Sequence, residues 1–270
     1  MNAASTLESR AFARDGYHVA RGLCPEELRL RLLEVSRRHL EGLLGPLEYE
    51  ADVGYPGSPR SRQAEGGNTP RRLRHALSRD PLFRRWATGP EVSGRLTTLF
   101  AEMHRRPFEP GEVLVSQCHH NCVMTKHPGY SSATLWHQDI RYWSFDRPEL
   151  ISVWLALGPE NARNGALKVI PGSHLLDLDR GRLDGALFLR TDLEENAGLI
   201  RQAVPVELAA GDVLFFHCRL FHAAGMNLTD QVKLSVVFTC HAADNRPIPD
   251  TRSADLPGIP LQPAHPREVQ

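Results

Sequence analysis

The chain has 270 residues, 41% of them hydrophobic and 24% charged, with a formal net charge of zero. That is enough chain for one large domain or two small ones, and the composition is that of a soluble globular protein. The even charge balance gives no reason to expect a nucleic-acid or membrane-surface partner, and no apolar run reaches the roughly 20 residues that span a bilayer.

Residues 5–45 read as a short helix, a strand and a long helix. The Gly16–Leu23 stretch has the alternation of a strand. Pro25, Glu26 and Glu27 suit a helix first turn, and the helix is expected to run to about Leu44. Its leucines supply an apolar side of imperfect period. Residues 45–72 are rich in Gly, Pro, Arg and Ser and read as a long polar loop, either an irregular surface excursion or a lid over a site. Two short helices are expected near 79–87 and 90–104.

From about residue 111 the texture changes to short β-rich runs separated by turn residues, through Gly111–Gln117, Asn121–Lys126, Ala133–Asp139, Leu150–Leu157, Gly165–Gly172, Ala203–His217 and Val232–Thr239. Many short strands at this spacing predict an antiparallel sandwich or barrel. The expectation is mainly β with flanking helices in a single domain over 1–270: a helical region at about 5–105 packed on a β core at about 111–245, then an irregular tail.

The N-terminus lacks the apolar core of a signal peptide. Cys24, Cys118, Cys122, Cys218 and Cys240 are odd in number, widely spaced and without a CxxC pair, so reduced thiols in a cytoplasmic protein are expected.

The chemistry concentrates around His137-Gln138-Asp139. Alternate residues of a strand share a face, so His137 and Asp139 can reach one metal ion, and a later strand can bring His222 to it. Two histidines and one carboxylate form the facial triad of non-haem Fe(II) oxygenases, which leaves positions open for cosubstrate and oxygen. With 13 histidines in the chain, a lone His-x-Asp pair arises by chance, so its surroundings must carry the reading. His217 is the rival to His222. Five residues apart on one regular strand, the two would face opposite sides.

Several segments recur in order around the pair: Asn164-Gly165-Ala166-Leu167, Val169 to His174, Gly211 to His217, Phe221-His222 and Asn227-Leu228-Thr229. Over roughly residues 12–245 the chain resembles the phytanoyl-CoA dioxygenase family of Fe(II)/2-oxoglutarate-dependent oxygenases. The resemblance implies a double-stranded β-helix (jelly-roll, cupin-like) core, with Fe(II), 2-oxoglutarate and O2 as cofactor and cosubstrates. It implies His137, Asp139 and His222 as the iron ligands and catalytic centre, leaving His217 to pack or hydrogen-bond nearby and His174 to order a loop. His119, His120 and His241 have no partner that makes them better ligand candidates.

In that family an arginine eleven residues after the distal histidine usually binds the far carboxylate of 2-oxoglutarate. Here that position is Lys233, a point charge in place of a planar fork. Of 32 basic residues only Lys126, Lys168 and Lys233 are lysine, which argues against drift at this site. Ser235, on the same strand face, resembles the family's serine partner, and Thr134 is a second hydroxyl candidate. Trp154 matches an aromatic beside the cosubstrate. His120, Cys122 and Met124 share a face that lines the pocket in relatives, with sheet-core packing as the alternative, and Gln117 is a further candidate of this kind.

Asp139 itself implies oxygenation, since related halogenases have Ala or Gly there. The expected reaction hydroxylates an unactivated C–H of a small metabolite, of the kind made in specialised metabolism, with release of succinate and CO2. An acyl-CoA or amino-acid-like substrate, an oxygenase that does not use 2-oxoglutarate, and a non-catalytic jelly-roll binding protein stand as alternatives. Arg141 continues the inward face if the strand stays regular, where it is a candidate to meet an anionic substrate group, with a surface salt bridge as the alternative. Tyr142, Trp143 and Phe145 follow as an aromatic wall.

Overall fold

The computed structural model describes residues 10–263. Residues 5–9 of the expected N-terminal helix, and the end of the expected tail, lie outside the described residues. Residues 10–15 are helical. The helices that follow are α1 (Glu26–Glu41), α2 (Ala76–Arg79), α3 (Pro81–Thr88), α4 (Pro90–His104) and α5 (Glu194–Ile200). The strands are β1 (Tyr17–Ala20), β2 (Leu47–Tyr49), β3 (Pro70–Arg74), β4 (Val113–Val115), β5 (Cys122–Lys126), β6 (Thr134–His137), β7 (Leu150–Ala156), β8 (Leu167–Val169), β9 (Val204–Pro205), β10 (Val213–His217), β11 (His222–Ala224), β12 (Lys233–Ala242) and β13 (Ile259–Pro260).

Two antiparallel sheets stack face to face. The major one runs β1-β10-β7-β12-β5-β3-β2, with β4 on the far part of β12 and β13 on β4; the minor one runs β6-β11-β8-β9. This is the expected jelly roll. Strands β7 and β12 lie inside the major sheet and are buried along their whole length. Both of their faces are covered, so β7 is apolar apart from Ser152, while β12 alternates, with Lys233, Ser235, Thr239 and His241 all on one buried face.

The two faces of the major sheet build two cores. Val153, Leu155, Val213, Phe215, Val236 and Phe238 point to one side, where they pack with Leu28 and Leu32 of α1, Phe83 and Trp86 of α3, and Leu96 of α4. Their neighbours Trp154, Leu214, Phe216 and Val237 point to the other, against Leu167, Val169 and Ala224 of the minor sheet. The period-2 rule thus places Lys233 and Ser235 of β12, Ser152 of β7, and Met124 and Lys126 of β5 in the space between the sheets.

The N-terminal half contributes more to the sheet than its composition predicts. The expected strand at Gly16–Leu23 is β1, in register with β10. The polar stretch 45–72 is bracketed by β2 and β3, which pair with each other and extend the major sheet beside β5. Only the segment between them is irregular. α1 stops at Glu41 rather than near Leu44, and α2 precedes the two helices expected at 79–87 and 90–104. All five cysteines are free of disulfides. Among the described residues, no helix is long and apolar enough to cross a membrane.

Candidate active site

His222 and His137 face each other in register across β11 and β6, and β6 carries a bulge between Thr134 and His137. Such a bulge re-aims the side chains that follow it. Asp139 is not on the strand. β6 ends at His137, and Asp139 opens a 3-10 turn over Asp139–Tyr142. The two residues therefore meet through a strand end and a turn, not through strand alternation as the motif alone suggests. His217 and His222 likewise sit on different strands, β10 and β11. The His217 ring packs against that of His174, with centres 5.2 Å apart, and its Nδ1 accepts from the Arg219 backbone N–H at 3.1 Å.

The three groups converge. Asp139 Oδ1 lies 3.7 Å from His137 Nε2 and 3.5 Å from His222 Nε2, and all three side chains are buried. His137 Nδ1 is 2.8 Å from the Leu135 carbonyl oxygen, and His222 Nδ1 is 3.0 Å from that of Leu220. A carbonyl only accepts, so each Nδ1 carries the proton and each Nε2 presents a lone pair. Burial, and then His222, push the His137 imidazole down to about 3, which keeps it neutral. Asp139 Oδ2 accepts from Ser152 Oγ at 3.0 Å, whereas the buried Oδ1 has no hydrogen-bond partner. Two lone pairs and an unbonded carboxylate oxygen aimed at one point repel unless a cation lies between them. Ligands on one octahedral face sit about 3 Å apart, so a small contraction suffices. The residues fit a divalent metal, with Leu135 O, Leu220 O and Ser152 as outer partners that fix the ligands.

A narrow pocket runs from these residues between the sheets. Met124, Thr134, Trp154, His120 and Lys233 line it, with Lys126 beside them. Lys233 Nζ donates to Glu160 Oε2 at 2.8 Å and lies 5.1 Å from the Trp154 ring centre. Ser235 Oγ and Trp154 Nε1 both donate to Glu160 Oε1, at 2.6 and 3.0 Å. Ser235 is thus held by Glu160 rather than turned to the pocket. Thr134 Oγ1 accepts from Arg71, whose guanidinium also donates to Ser132 Oγ and Glu50.

Other expected residues fall elsewhere. His120 takes a left-handed backbone (φ 41°) ahead of β5, so it does not alternate with Cys122 and Met124. It reaches the site nonetheless, its Nδ1 3.4 Å from Asp139 Oδ2. Gln117 and Cys122 line a neighbouring outer cavity, and Gln117 Nε2 donates to the Pro257 carbonyl. Arg141 does not continue a strand face. From the 3-10 turn it stays half-buried, and its guanidinium stacks on Phe188 at 3.8 Å. Tyr142 and Trp143 line a cavity of about 310 Å³ next to the metal residues, with Glu48, Tyr55, Arg72 and Arg252. Tyr55, from the irregular segment between β2 and β3, meets Tyr142 hydroxyl to hydroxyl at 3.1 Å. That segment therefore borders the site.

Sequence reasoning missed Glu160, Glu48, Arg71 and Arg72, and gave Lys126 no role. The scarcity of lysine was a usable signal for Lys126. None marked Glu160, which meets Lys233 across 73 residues of chain.

The family profile for phytanoyl-CoA dioxygenase matches residues 12–235. The chain belongs to the phytanoyl-CoA dioxygenase family. Among similar family members, phytanoyl-CoA dioxygenase 1 of Oryza sativa subsp. japonica is 30% identical over 156 residues, which is 57% of this chain and 51% of that protein. The peroxisomal phytanoyl-CoA dioxygenase of Homo sapiens is 32% identical over 115 residues, 40% of this chain and 32% of that one. The matches thus cover about half or less of these relatives' length. Solved structures share the fold. EctD from S. alaskensis, with 2-oxoglutarate and 5-hydroxyectoine, superposes with a TM-score of 0.70 at 20% identity, over 97% of this chain and 86% of that one. The epimerase SnoN, with Fe3+, alpha ketoglutarate and nogalamycin RO, gives 0.68 at 23% identity over 96% of both chains.

Proposed function

We propose that this family member is an Fe(II)- and 2-oxoglutarate-dependent dioxygenase, acting as one domain, that hydroxylates an unactivated C–H of a small polar metabolite. The observation that carries this reading is the buried, unbonded Asp139 Oδ1 facing the Nε2 atoms of His137 and His222. These three residues would hold the iron. When bound, iron and cosubstrate supply the oxidising power, with succinate and CO2 released. Lys233 would fix the far carboxylate, since a buried anion needs a charged donor in place of lost water. Tyr55 and Tyr142 line the outer cavity and offer their hydroxyls to a substrate there.

The size and lining of that cavity favour a compact substrate. About 310 Å³ lies near the lower end of small-molecule sites. Glu48, Arg72, Arg252 and the tyrosine hydroxyls offer hydrogen bonds and charge rather than the apolar wall a long acyl chain would need. Phytanoyl-CoA, named for the curated relatives, fits this lining poorly. A place in specialised metabolism is part of the proposal. So is a cytoplasmic setting, supported by five unpaired cysteines.

The test is anaerobic addition of Fe(II) and 2-oxoglutarate. A visible charge-transfer band that vanishes in Asp139→Ala is expected. No band in the intact protein refutes the reading in favour of a non-catalytic jelly-roll protein. Screening metabolites by mass spectrometry should then reveal a product heavier by one oxygen, coupled to succinate release.

A further inference from the structure

The cavities outside the metal residues carry an excess of positive charge. The one of about 310 Å³ and a neighbour of about 220 Å³ share Glu48, Arg72, His120 and Arg252 in their walls, and Arg74 joins them in the second. Three guanidiniums thus face one carboxylate. Charge of one sign in a cleft with low-dielectric walls concentrates ligands of the other sign.

Strand geometry brings two of the arginines together. Arg72 stands opposite Met124, and Arg74 opposite Cys122, in the register of β3 with β5. Alternate residues share a face, so both leave β3 on the side of Met124, toward the space between the sheets. Arg252 arrives from a 3-10 turn over Arg252–Ala254, and its Nη2 donates to the Cys118 carbonyl oxygen at 3.2 Å.

Arg72 is the least matched of the buried cations here. Its neighbour Arg71 donates to Glu50, Ser132 and Thr134. Arg72 has Glu48 alone, with its Nε 3.4 Å from Oε1, and that Nε is buried without a hydrogen-bond partner. The same Oε1 lies 3.7 Å from Arg71 Nε, so one carboxylate oxygen serves two arginines. Among the described residues, the Arg72 guanidinium makes no hydrogen bond. Its planar fork of donors suits the two oxygens of a carboxylate or phosphate. Arg72 and His120 also border the inner pocket that His137, Asp139 and His222 line. A group bound to Arg72 therefore lies beside the metal residues.

We propose that the substrate is a compact acid, whose carboxylate or phosphate is taken in the outer cavity by Arg72, with Arg252 as the second arm. This rests on the oxygenase reading above and narrows its polar metabolite to an anionic one. Trp143, Tyr55 and Tyr142 wall the space left for the rest of the molecule.

The experiment adds three probes of similar size, benzoate, phenyl phosphate and neutral benzamide, to the anaerobic protein with Fe(II) and 2-oxoglutarate. Calorimetry and the shift of the charge-transfer band read their binding. At least one acid should bind about tenfold more tightly than benzamide, the worth of one charge-assisted hydrogen bond. Which acid it is separates carboxylate from phosphate. Arg72→Gln, in which Glu48 keeps Arg71 beside it, should remove the preference and leave the Kd for 2-oxoglutarate within twofold of wild type. Arg72→Lys should recover part of the preference. A wild-type preference below twofold overturns the proposal, as does one that persists in folded Arg72→Gln. An equal loss of 2-oxoglutarate binding in Arg72→Gln also overturns it, because Arg72 would then serve the cosubstrate. If Arg72→Gln does not fold, Arg252→Gln at an exposed position decides: an unchanged preference overturns the proposal. Absence of any band in the wild type refutes the oxygenase reading instead, and calorimetry still reads acid binding on the same samples.

Discussion

Lys233 Nζ donates to Glu160 Oε2 at 2.8 Å, with both side chains buried between the sheets. Removing one partner of such a pair leaves a charge stranded in the interior, typically at about 3–5 kcal/mol. Glu160→Gln keeps the shape and one acceptor oxygen but removes the charge. The expected outcome is a protein that unfolds at lower urea without 2-oxoglutarate, yet binds 2-oxoglutarate more tightly because Lys233 is then unopposed. Denaturation with and without cosubstrate reads both effects. Unchanged cosubstrate affinity would show that Glu160 does not set the charge of the pocket.

Ser152 holds the Asp139 oxygen that does not face the histidines. Partners of this kind are worth about 10–100-fold in metal affinity. Ser152→Ala should weaken Fe(II) binding within that range, with little change in the Kd for 2-oxoglutarate once iron is saturating. Competition with a calibrated chelator measures it. His137→Ala, Asp139→Ala and His222→Ala should each abolish binding.

Metal binding should also stabilise the fold. A ligand that binds only the folded state at 100 times its Kd adds about 2.7 kcal/mol. The urea midpoint is expected to rise with Fe(II) under anaerobic conditions and to fall back with chelator. It should not move in Asp139→Ala.

Burial pushes two histidines outside the metal site, His119 and His217, down to about 3 from 6.5. Their folded values lie below the unfolded ones, so the stability tied to their neutral forms is present above pH 6.5. It is lost as the pH falls from 6.5 toward 3, where only the unfolded chain takes up those protons. Each contributes up to about 1.4 kcal/mol per pH unit in that window. Urea midpoints at pH 7.5 and 5 should therefore differ, with lower stability at pH 5. His217→Gln should lessen the difference.

Gly165 adopts φ 76°, and a Cβ there would meet the Gly225 carbonyl oxygen at 2.6 Å as well as Lys126. Gly165→Ala should cost about 1–3 kcal/mol through backbone strain, and more from the clash. Calorimetric unfolding would measure the loss.

Ordered motifs make the metal residues legible in the sequence, because the types that bind a metal are few and their context is local. The geometry that unites them is less so. Asp139 reaches the centre through a turn that opens where β6 stops, and no pattern of alternation announces that. β3 is hidden for a different reason. Pro70-Arg71-Arg72 reads as polar loop, yet Arg71 and Arg72 are strand residues matched by Glu48 and Glu50 from the other side of the irregular segment. Charged residues look exposed in a sequence, and only tertiary pairing makes them interior. Glu160 escapes notice on the same ground.

His137 and His222 hang from the minor sheet, and Asp139 from the turn after β6. Lys126 and Lys233 hang from the major sheet. A molecule that chelated a metal at one end and met the Lys233 ammonium at the other would act as a strut of fixed length between the two layers. Its affinity then depends on how far apart the layers stand. Trimming Leu214 or Phe216, which hold that gap by packing alone, should change the fit for an acid of this length differently from one a single methylene longer or shorter.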